Sequence, residues 1–464
     1  MAKSSTPRSA RGRLATLVFL LIVASLGEAS VLQRQRRDFV IPDWIEIVDE
    51  PVAENSKTIQ RAVRVRDAKV SYDGAQVWRV NAAEGQSVSS VATDFQEAGL
   101  FSVWLGNETA VDVMVRSEEI PRVARYLKQK DLEYNIVIED LQKEIDEENP
   151  VPSEEEMQEM EGRFGHRMEW TSYHRLDDIH SYLHYLAETF PAVCSVVSIG
   201  NSVEGRSLKV LRISNGKPNA PALWIDGGIH AREWISPAAV TYIIDYLVDN
   251  SDSLEADYYI LPVANPDGYE YTFTRDRLWR KNRRRAIGSS CTGVDLNRNF
   301  GYRWGGKGTS KDPCREIYAG SGPFSEPETN AIRNFFEASA ANFKAYLTFH
   351  SYGQFILYPW GYDRRVPPDY ADLENVGRDM AMAMRKAGGE NSAYTVGNSA
   401  TTLYAASGGS DDWAKAILKM KYTYTIELRD TGKHGFVLPS RYIIPTAKEA
   451  LAAVLVVSEA CKSL

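Results

Sequence analysis

His230 and Glu233 stand three apart in Gly227-Gly228-Ile229-His230-Ala231-Arg232-Glu233-Trp234, a spacing that puts both side chains on one side of a helical turn, where they can grip one cation. Alone, the pattern is weak, because His-x-x-Glu recurs as a capping or surface feature. Its weight comes from position. An apolar run over 222–226 precedes it and reads as a strand, and a second run over 345–349 delivers His350-Ser351-Tyr352 at its end. Two imidazoles and one carboxylate suffice to hold zinc and leave a coordination position for water. The HExxH pattern, which places two zinc-binding histidines on a single helix, is absent. Zinc acidifies water and polarises a carbonyl, and hydrolysis also needs a general base close by. Glu427 interrupts the apolar run over 422–428 and suits that task, its bland alternative being a strand glutamate in an ion pair.

Such side chains act together only if regular elements carry them to one place. From about Met168 the pattern alternates: strands are expected over 195–199, 208–213, 222–226, 258–263, 345–349 and 422–428, and helices over 176–190, 237–248, 327–336, 370–386 and 446–461. Several strands are continuous apolar runs, as expected when helices cover both faces of a sheet. The fold class is therefore α/β: a mixed, largely parallel open sheet, whose sites gather in loops beyond the carboxyl ends of the strands. Ser325 with Glu328 reads as a capping box at the start of one helix.

A smaller module precedes it. A strand over 75–80, a helix bearing Val88, Val91 and Phe95 and closed by Gly99, strands over 101–105 and 111–115, a helix from Pro121 with Val123 and Leu127, and a strand over 134–138 follow one another. That order is β-α-β-β-α-β, a ferredoxin-like α+β arrangement. Residues 143–162 form a charged, Pro-containing connector of the exposed kind that proteases cut. Residues 31–68 show little periodicity; Arg34-Gln35-Arg36-Arg37 within them is a processing site or a solvated charge run.

With 464 residues the chain is too long for one typical domain, and 44% hydrophobic with 25% charged residues is ordinary for a globular protein. A net charge of -8 disfavours a nucleic-acid surface. Lys3, Arg8, Arg11 and Arg13, then an apolar run over 14–26 and Gly27-Glu28-Ala29, read as a signal peptide; the run is shorter than the ~20 residues that span a bilayer. In an oxidising compartment the four cysteines allow three connectivities. Cys291 with Cys314 closes a short loop and is the first pair; Cys194 with Cys461 is the weaker inference, two free buried thiols its alternative.

Taken in order, the HAREW segment, Asn265-Pro266-Asp267-Gly268, Arg277-Leu278-Trp279-Arg280, Asp295-Leu296-Asn297-Arg298-Asn299, His350-Ser351-Tyr352, Tyr404 with Ser407-Gly408-Gly409-Ser410, and Glu427-Leu428-Arg429-Asp430 resemble the carboxypeptidase A/B family of zinc peptidases. The resemblance runs from about Tyr173 to the end, and the preceding module looks like that family's activation segment. It implies one zinc per chain on His230, Glu233 and His350, with Glu427 as general base and Asp295 orienting His230. Arg280 would stabilise the oxyanion. Asn297, Arg298 and Tyr404 would hold a terminal carboxylate, while Arg232, Ser351, Tyr352 and Phe436 would line neighbouring subsites. Asp411 falls where B-type members are acidic and A-type members apolar, implying release of Arg or Lys; Asp412 matches an aspartate common to both types.

The resemblance thus implies a secreted, extracellular zymogen. Its plan is a signal peptide over 1–29, an irregular segment over 30–68, an activation domain over 69–145, a connecting segment over 146–167 and a catalytic domain over 168–464. Arg163 and Arg167 are candidate cleavage points for a trypsin-like activator, and Asn107 in Asn107-Glu108-Thr109 is a candidate glycosylation site. Expected partners are peptides or proteins with a free C-terminus and the activating protease, with no nucleic acid or membrane, and the state expected is monomeric. The alternatives are an A-type enzyme releasing aromatic or aliphatic residues and a secreted zinc-binding protein without turnover.

Overall fold

The computed structural model describes residues 69–81, 102–106, 110–150 and 152–464, and the backbone of 45–51 and 59–65. The signal peptide, the Arg34–Arg37 run, the helix over 88–99 and Asn107 lie outside the described residues. The chain divides into two units, Met1–Ala68 and Lys69–Leu464. In the first, β1 (Ile45–Pro51) pairs antiparallel with β2 (Ile59–Val65), Ile45 opposite Val65. This corrects the reading of 30–68 as irregular throughout. β-Branched and polar residues are mixed in both strands without strict alternation, and each is seven residues long, too short for a period to stand out.

In the second unit, β3 (Gln76–Asn81), β4 (Ser102–Gly106), β5 (Ala110–Val115) and β6 (Tyr134–Ile138) make an antiparallel sheet ordered β4-β5-β3-β6. Helix α1 (Ile120–Gln129) lays Val123 and Leu127 on Trp78, Val80, Val111, Val113 and Val115. The connector is mostly exposed and consists of two helices. Asp140 caps α2 (Leu141–Glu148) by accepting from Lys143 N at 3.1 Å, and Ser153 with Glu156 forms a capping box for α3 (Glu154–Phe164). Gly165 ends α3 at φ 78°, a conformation that glycine takes without strain.

The large sheet has eight strands: β7 (Cys194–Asn201), β8 (Ser207–Ile213), β9 (Ala222–Asp226), β10 (Asp257–Leu261), β11 (Phe343–Ser351), β12 (Phe355–Tyr358), β13 (Thr395–Asn398) and β14 (Tyr422–Leu428). They lie in the order β13-β12-β14-β11-β9-β10-β8-β7. The four central strands β14, β11, β9 and β10 run parallel, and β8, β7 and β12 join antiparallel. Helices α4 (Leu176–Thr189), α5 (Ile235–Asp249), α8 (Tyr370–Gly388) and α11 (Ile443–Cys461) cover one face, and α7 (Pro327–Ala338) and α10 (Ser410–Ala416) the other. Short or polar elements escaped the sequence: β12, β13, α6 (Pro266–Thr274) and α9 (Ser399–Thr402).

Strand alternation sorts the central residues. Leu223, Ile225, Leu347, Phe349, Tyr424 and Ile426 fill the first face. Their neighbours Trp224, Asp226, Tyr346, Thr348, His350, Thr423, Thr425 and Glu427 therefore point to the second. That face is apolar near α7 and turns polar towards the carboxyl ends.

Two further expectations need correction. No capping box forms from Ser325 and Glu328: α7 is preceded by Glu326, and the buried Glu328 instead accepts from Val203 N at 3.1 Å and Asn282 Nδ2 at 3.2 Å. Cys291 and Cys314 form a disulfide, but Cys194 and Cys461 are free, buried thiols. Cys194 opens the edge strand β7 whereas Cys461 ends α11, which packs on α5 and α8, so each thiol sits in apolar packing. Burial pushes their pKa values up, to about 11 and about 12.

The chain leaving β14 is locked by a buried ion pair. Arg429 Nε donates to Glu449 of α11 at 2.9 Å, and Tyr394 OH and Ser392 also donate to that carboxylate. Glu449→Ala strands the guanidinium in the core and should cost about 3–5 kcal/mol. Guanidinium chloride unfolding of parent and variant measures it; a loss below ~1 kcal/mol would show the lock to be dispensable.

Candidate active site

β9 ends at Asp226, and the chain turns at once through Gly227 and Gly228. Gly228 has φ 63°, and a Cβ there would lie 2.9 Å from Pro237 Cγ, so the turn needs glycine. It presents His230 and Glu233 just before α5, while β11 brings His350 from the neighbouring strand. His230 Nδ1 lies 2.8 Å from Glu233 Oε1, and His350 Nδ1 lies 3.1 Å from both Glu233 Oε2 and His230 Nδ1. One ligand atom from each of the three lies within 4.8 Å of the others, all buried. Two imidazole nitrogens aimed at each other and at one carboxylate repel unless a cation or proton lies between them. Two nitrogens and a carboxylate are also the donors that zinc takes, so the residues fit the ion.

The far side of His230 is fixed: Nε2 lies 3.1 Å from Asp295 Oδ1. Asp295 Oδ2 accepts from Arg280 Nε at 3.2 Å and Nη2 at 3.0 Å. Burial alone would raise the Asp295 carboxyl, but Arg280 and Arg298 hold it well below the usual range. Ser351 contributes its backbone, N donating to Glu233 Oε2 at 3.2 Å.

Glu427 sits opposite His350 in the β11–β14 register and lines the same cleft. Burial pushes its carboxyl up, to about 8; a divalent cation beside it opposes that shift. The cleft is also lined by Arg280, Asn297, Arg298, Tyr404 and Asp411. Asn297 Oδ1 accepts from Ser410 N at 3.0 Å, and Arg298 is braced on Gly308 O and Asn297 O, each at 2.9 Å. Tyr404 stands at the rim, 41% exposed.

The two adjacent aspartates differ. Asp412 accepts from Gly361 N at 2.8 Å and Tyr362 N at 2.9 Å and is spent on backbone. Asp411 turns into the cleft, with Thr425 and the amides of Asp411 and Asp412 as its partners, and burial raises its carboxyl.

The smaller module reaches into this cleft. Trp104 and Leu105 of β4 line it. The Trp104 ring lies 5.0 Å from Phe436 and 6.4 Å from Tyr352. Tyr352 OH donates to Asp112 Oδ2 of β5 at 2.9 Å, and Arg79 pairs with Asp112 and donates to Thr431 O at 2.9 Å. Arg232 lies over Phe436 and pairs with Glu316 at 3.1 Å, which Ser102 also meets at 3.2 Å. Glu148 at the end of α2 pairs with the buried Arg277. Beyond it, Arg163 is exposed in the last turn of α3, and Arg167 pairs with Glu154 at 3.1 Å and Glu161 at 2.7 Å.

Sequence reasoning missed Trp104, Asp112, Glu148 and Glu316, because nothing local to them announces a contact more than a hundred residues away. It missed Asp226, Thr348 and Thr425 too, although a buried acid ending a strand before Gly-Gly was a usable signal.

Three comparisons bear on this geometry. The family profile described as "Zinc carboxypeptidase" matches residues 179–453, and "Carboxypeptidase activation peptide" matches 78–148. Carboxypeptidase B of Astacus astacus is 48% identical over 302 residues, 64% of this chain and 99% of that protein. Carboxypeptidase A4 of Mus musculus is 41% identical, covering 84% of this chain and 94% of that protein. The crystal structure of thrombin activatable fibrinolysis inhibitor superposes with a TM-score of 0.74 at 33% identity, over 85% of this chain and 100% of that one.

Proposed function

The chain belongs to the zinc carboxypeptidase family, and from that premise we propose a secreted, extracellular zymogen that releases C-terminal Arg or Lys from peptides once a trypsin-like protease has cut its connecting segment. The observation that carries the basic preference is Asp411, a buried carboxylate facing the cleft whose hydrogen-bond partners are the Thr425 hydroxyl and backbone amides. A carboxylate in a desolvated pocket disfavours Phe or Leu and is offset by a bound cation. The small residues Gly361, Ser399 and Ala406 around it leave room for a long side chain. Relatives carry both A and B names, so the pocket residue has to discriminate between them.

His230, Glu233 and His350 are proposed to hold the zinc, which when bound polarises the scissile carbonyl and acidifies water. Glu427 takes the proton of the attacking water and returns it to the leaving amine, which cannot depart as an anion. Arg280, anchored on Asp295, faces the charge that develops on the carbonyl oxygen. Arg298, Asn297 and Tyr404 take the terminal carboxylate, which restricts attack to the last peptide bond. Intact Glu427 and Arg280 oppose a zinc-binding protein without turnover. In the uncut chain Trp104 and Leu105 stand in the substrate's path, which supports latency, with Arg163 and Arg167 as the cleavage points.

Glu427→Gln should keep its zinc by elemental analysis and lose ~100-fold or more in kcat; turnover within a few-fold of the parent would remove Glu427 as the base. Intact protein, verified by mass, should be nearly silent towards blocked dipeptides until trypsin cuts within 140–167, and equal rates before and after cutting would end the zymogen reading. Asp411→Ile should depress kcat/KM for C-terminal Arg and Lys by about tenfold or more and raise it for Leu and Phe. A folded, zinc-loaded variant that still prefers Arg would mean that the cation is read elsewhere.

A further inference from the structure

We propose that Thr348 and Asp226 form a positioning relay for His350, the counterpart of the direct Asp295 contact to His230; the relay rests on the reading of His350 as a zinc ligand. His350 turns Nδ1 towards His230 and Glu233. For Nδ1 to offer its lone pair to a cation, the ring proton must sit on Nε2. Thr348 Oγ1 lies 3.2 Å from Nε2, on the same face of β11 because the two residues are two apart. A hydroxyl that accepts from Nε2–H has its own proton to give. Across the ladder from Thr348 stands Asp226.

Asp226 is fully buried and divided in its contacts. Oδ2 accepts from Trp224 Nε1 at 2.7 Å, but Oδ1 is buried without a hydrogen-bond partner. The side chains facing the carboxylate besides Trp224 are Thr348 and Tyr346. An unpaired carboxylate oxygen in a core is costly, and the Thr348 hydroxyl proton meets that need while leaving its lone pair to Nε2–H. His350 is then held by a carboxylate at one remove, its tautomer set and the basicity of Nδ1 raised. Tyr346, whose buried hydroxyl also lacks a partner, is the competing donor to Oδ1.

Zinc affinity of the full-length protein, read by competition with a chromogenic chelator, and the visible spectrum of the cobalt-loaded protein test the relay. Thr348→Val, which removes the hydroxyl at constant shape, should weaken zinc binding by about 10–100-fold and alter the cobalt spectrum. Thr348→Ser should restore both, and Tyr346→Phe should leave both as in the parent. Asp226→Asn should weaken binding too, and the Asp226→Asn, Thr348→Val double variant should be no weaker than the worse single one, because both changes act on one imidazole. If Asp226→Asn does not fold, the Thr348 variants decide. Affinity of Thr348→Val within about twofold of the parent, even with a lowered thermal midpoint of the metal-free protein, overturns the relay in favour of a structural hydroxyl, as does an equal effect of Tyr346→Phe. His350→Ala keeps the two questions apart: parental zinc affinity in that variant would overturn His350 as a ligand, whereas lost zinc there with an unaffected Thr348→Val overturns only the relay.

Discussion

The structure depends on one constraint: ionisable groups gathered out of water at the carboxyl ends of adjacent parallel strands must each find a partner. β9, β11 and β14 lie side by side, and their pleat turns Asp226, His350 and Glu427 to one face. Asp226 and His350 are buried, and Glu427 is half-buried at the cleft. Glu233 is therefore met by two imidazoles and an amide, and Asp295 by His230 and Arg280. Charges paired in this way keep fixed directions, and fixed direction is what metal binding and transition-state stabilisation require. The apolar face behind them, filled by Leu347, Phe349, Tyr424 and Ile426, keeps the strands from shifting. A slip of one residue would send every one of these groups into that face.

The activation domain meets the same constraint from outside. Trp104 and Leu105 enter the cleft, and Asp112 accepts from the Tyr352 hydroxyl. A fully buried ion pair joins it to the catalytic part, where Glu148 meets Arg277 and the guanidinium stacks on Trp234 at 3.7 Å. A cover held by such pairs stands over the cleft. On the proposed reading, cutting the segment after α2 converts an intramolecular cover into a separable one and lowers its effective concentration.

Asp411 and Asp412 show why adjacent residues of one type need not share a task. Both belong to the first turn of α10. Asp412 is committed to two amides of the Gly361 loop, and so shapes the pocket wall. Asp411 points into the space which that wall encloses. Selection for a cation, as proposed, follows from charge placed inside a pocket whose walls are otherwise satisfied.

Much was legible in the sequence because it was local. Continuous apolar runs marked β9, β11 and β14; Gly227-Gly228 marked a sharp turn; and the order of motifs carried the family and its activation domain. Periodicity failed where elements are short or polar, as in β12, β13, α6 and the hairpin of β1 and β2, since a few residues cannot establish a repeat. Pairing failed where two residues were matched by type alone: Ser325 had Glu328 at the capping distance, yet that glutamate is drawn into the core by Val203 and Asn282, and Cys194 and Cys461 are buried free thiols at the start of an edge strand and the end of a helix. Only the tertiary structure decided which buried groups meet. Asp112 meets Tyr352 and Glu148 meets Arg277 through domain docking, and sheet register sets Thr348 opposite Asp226; contacts between residues distant in the chain leave no periodicity in the sequence around either partner.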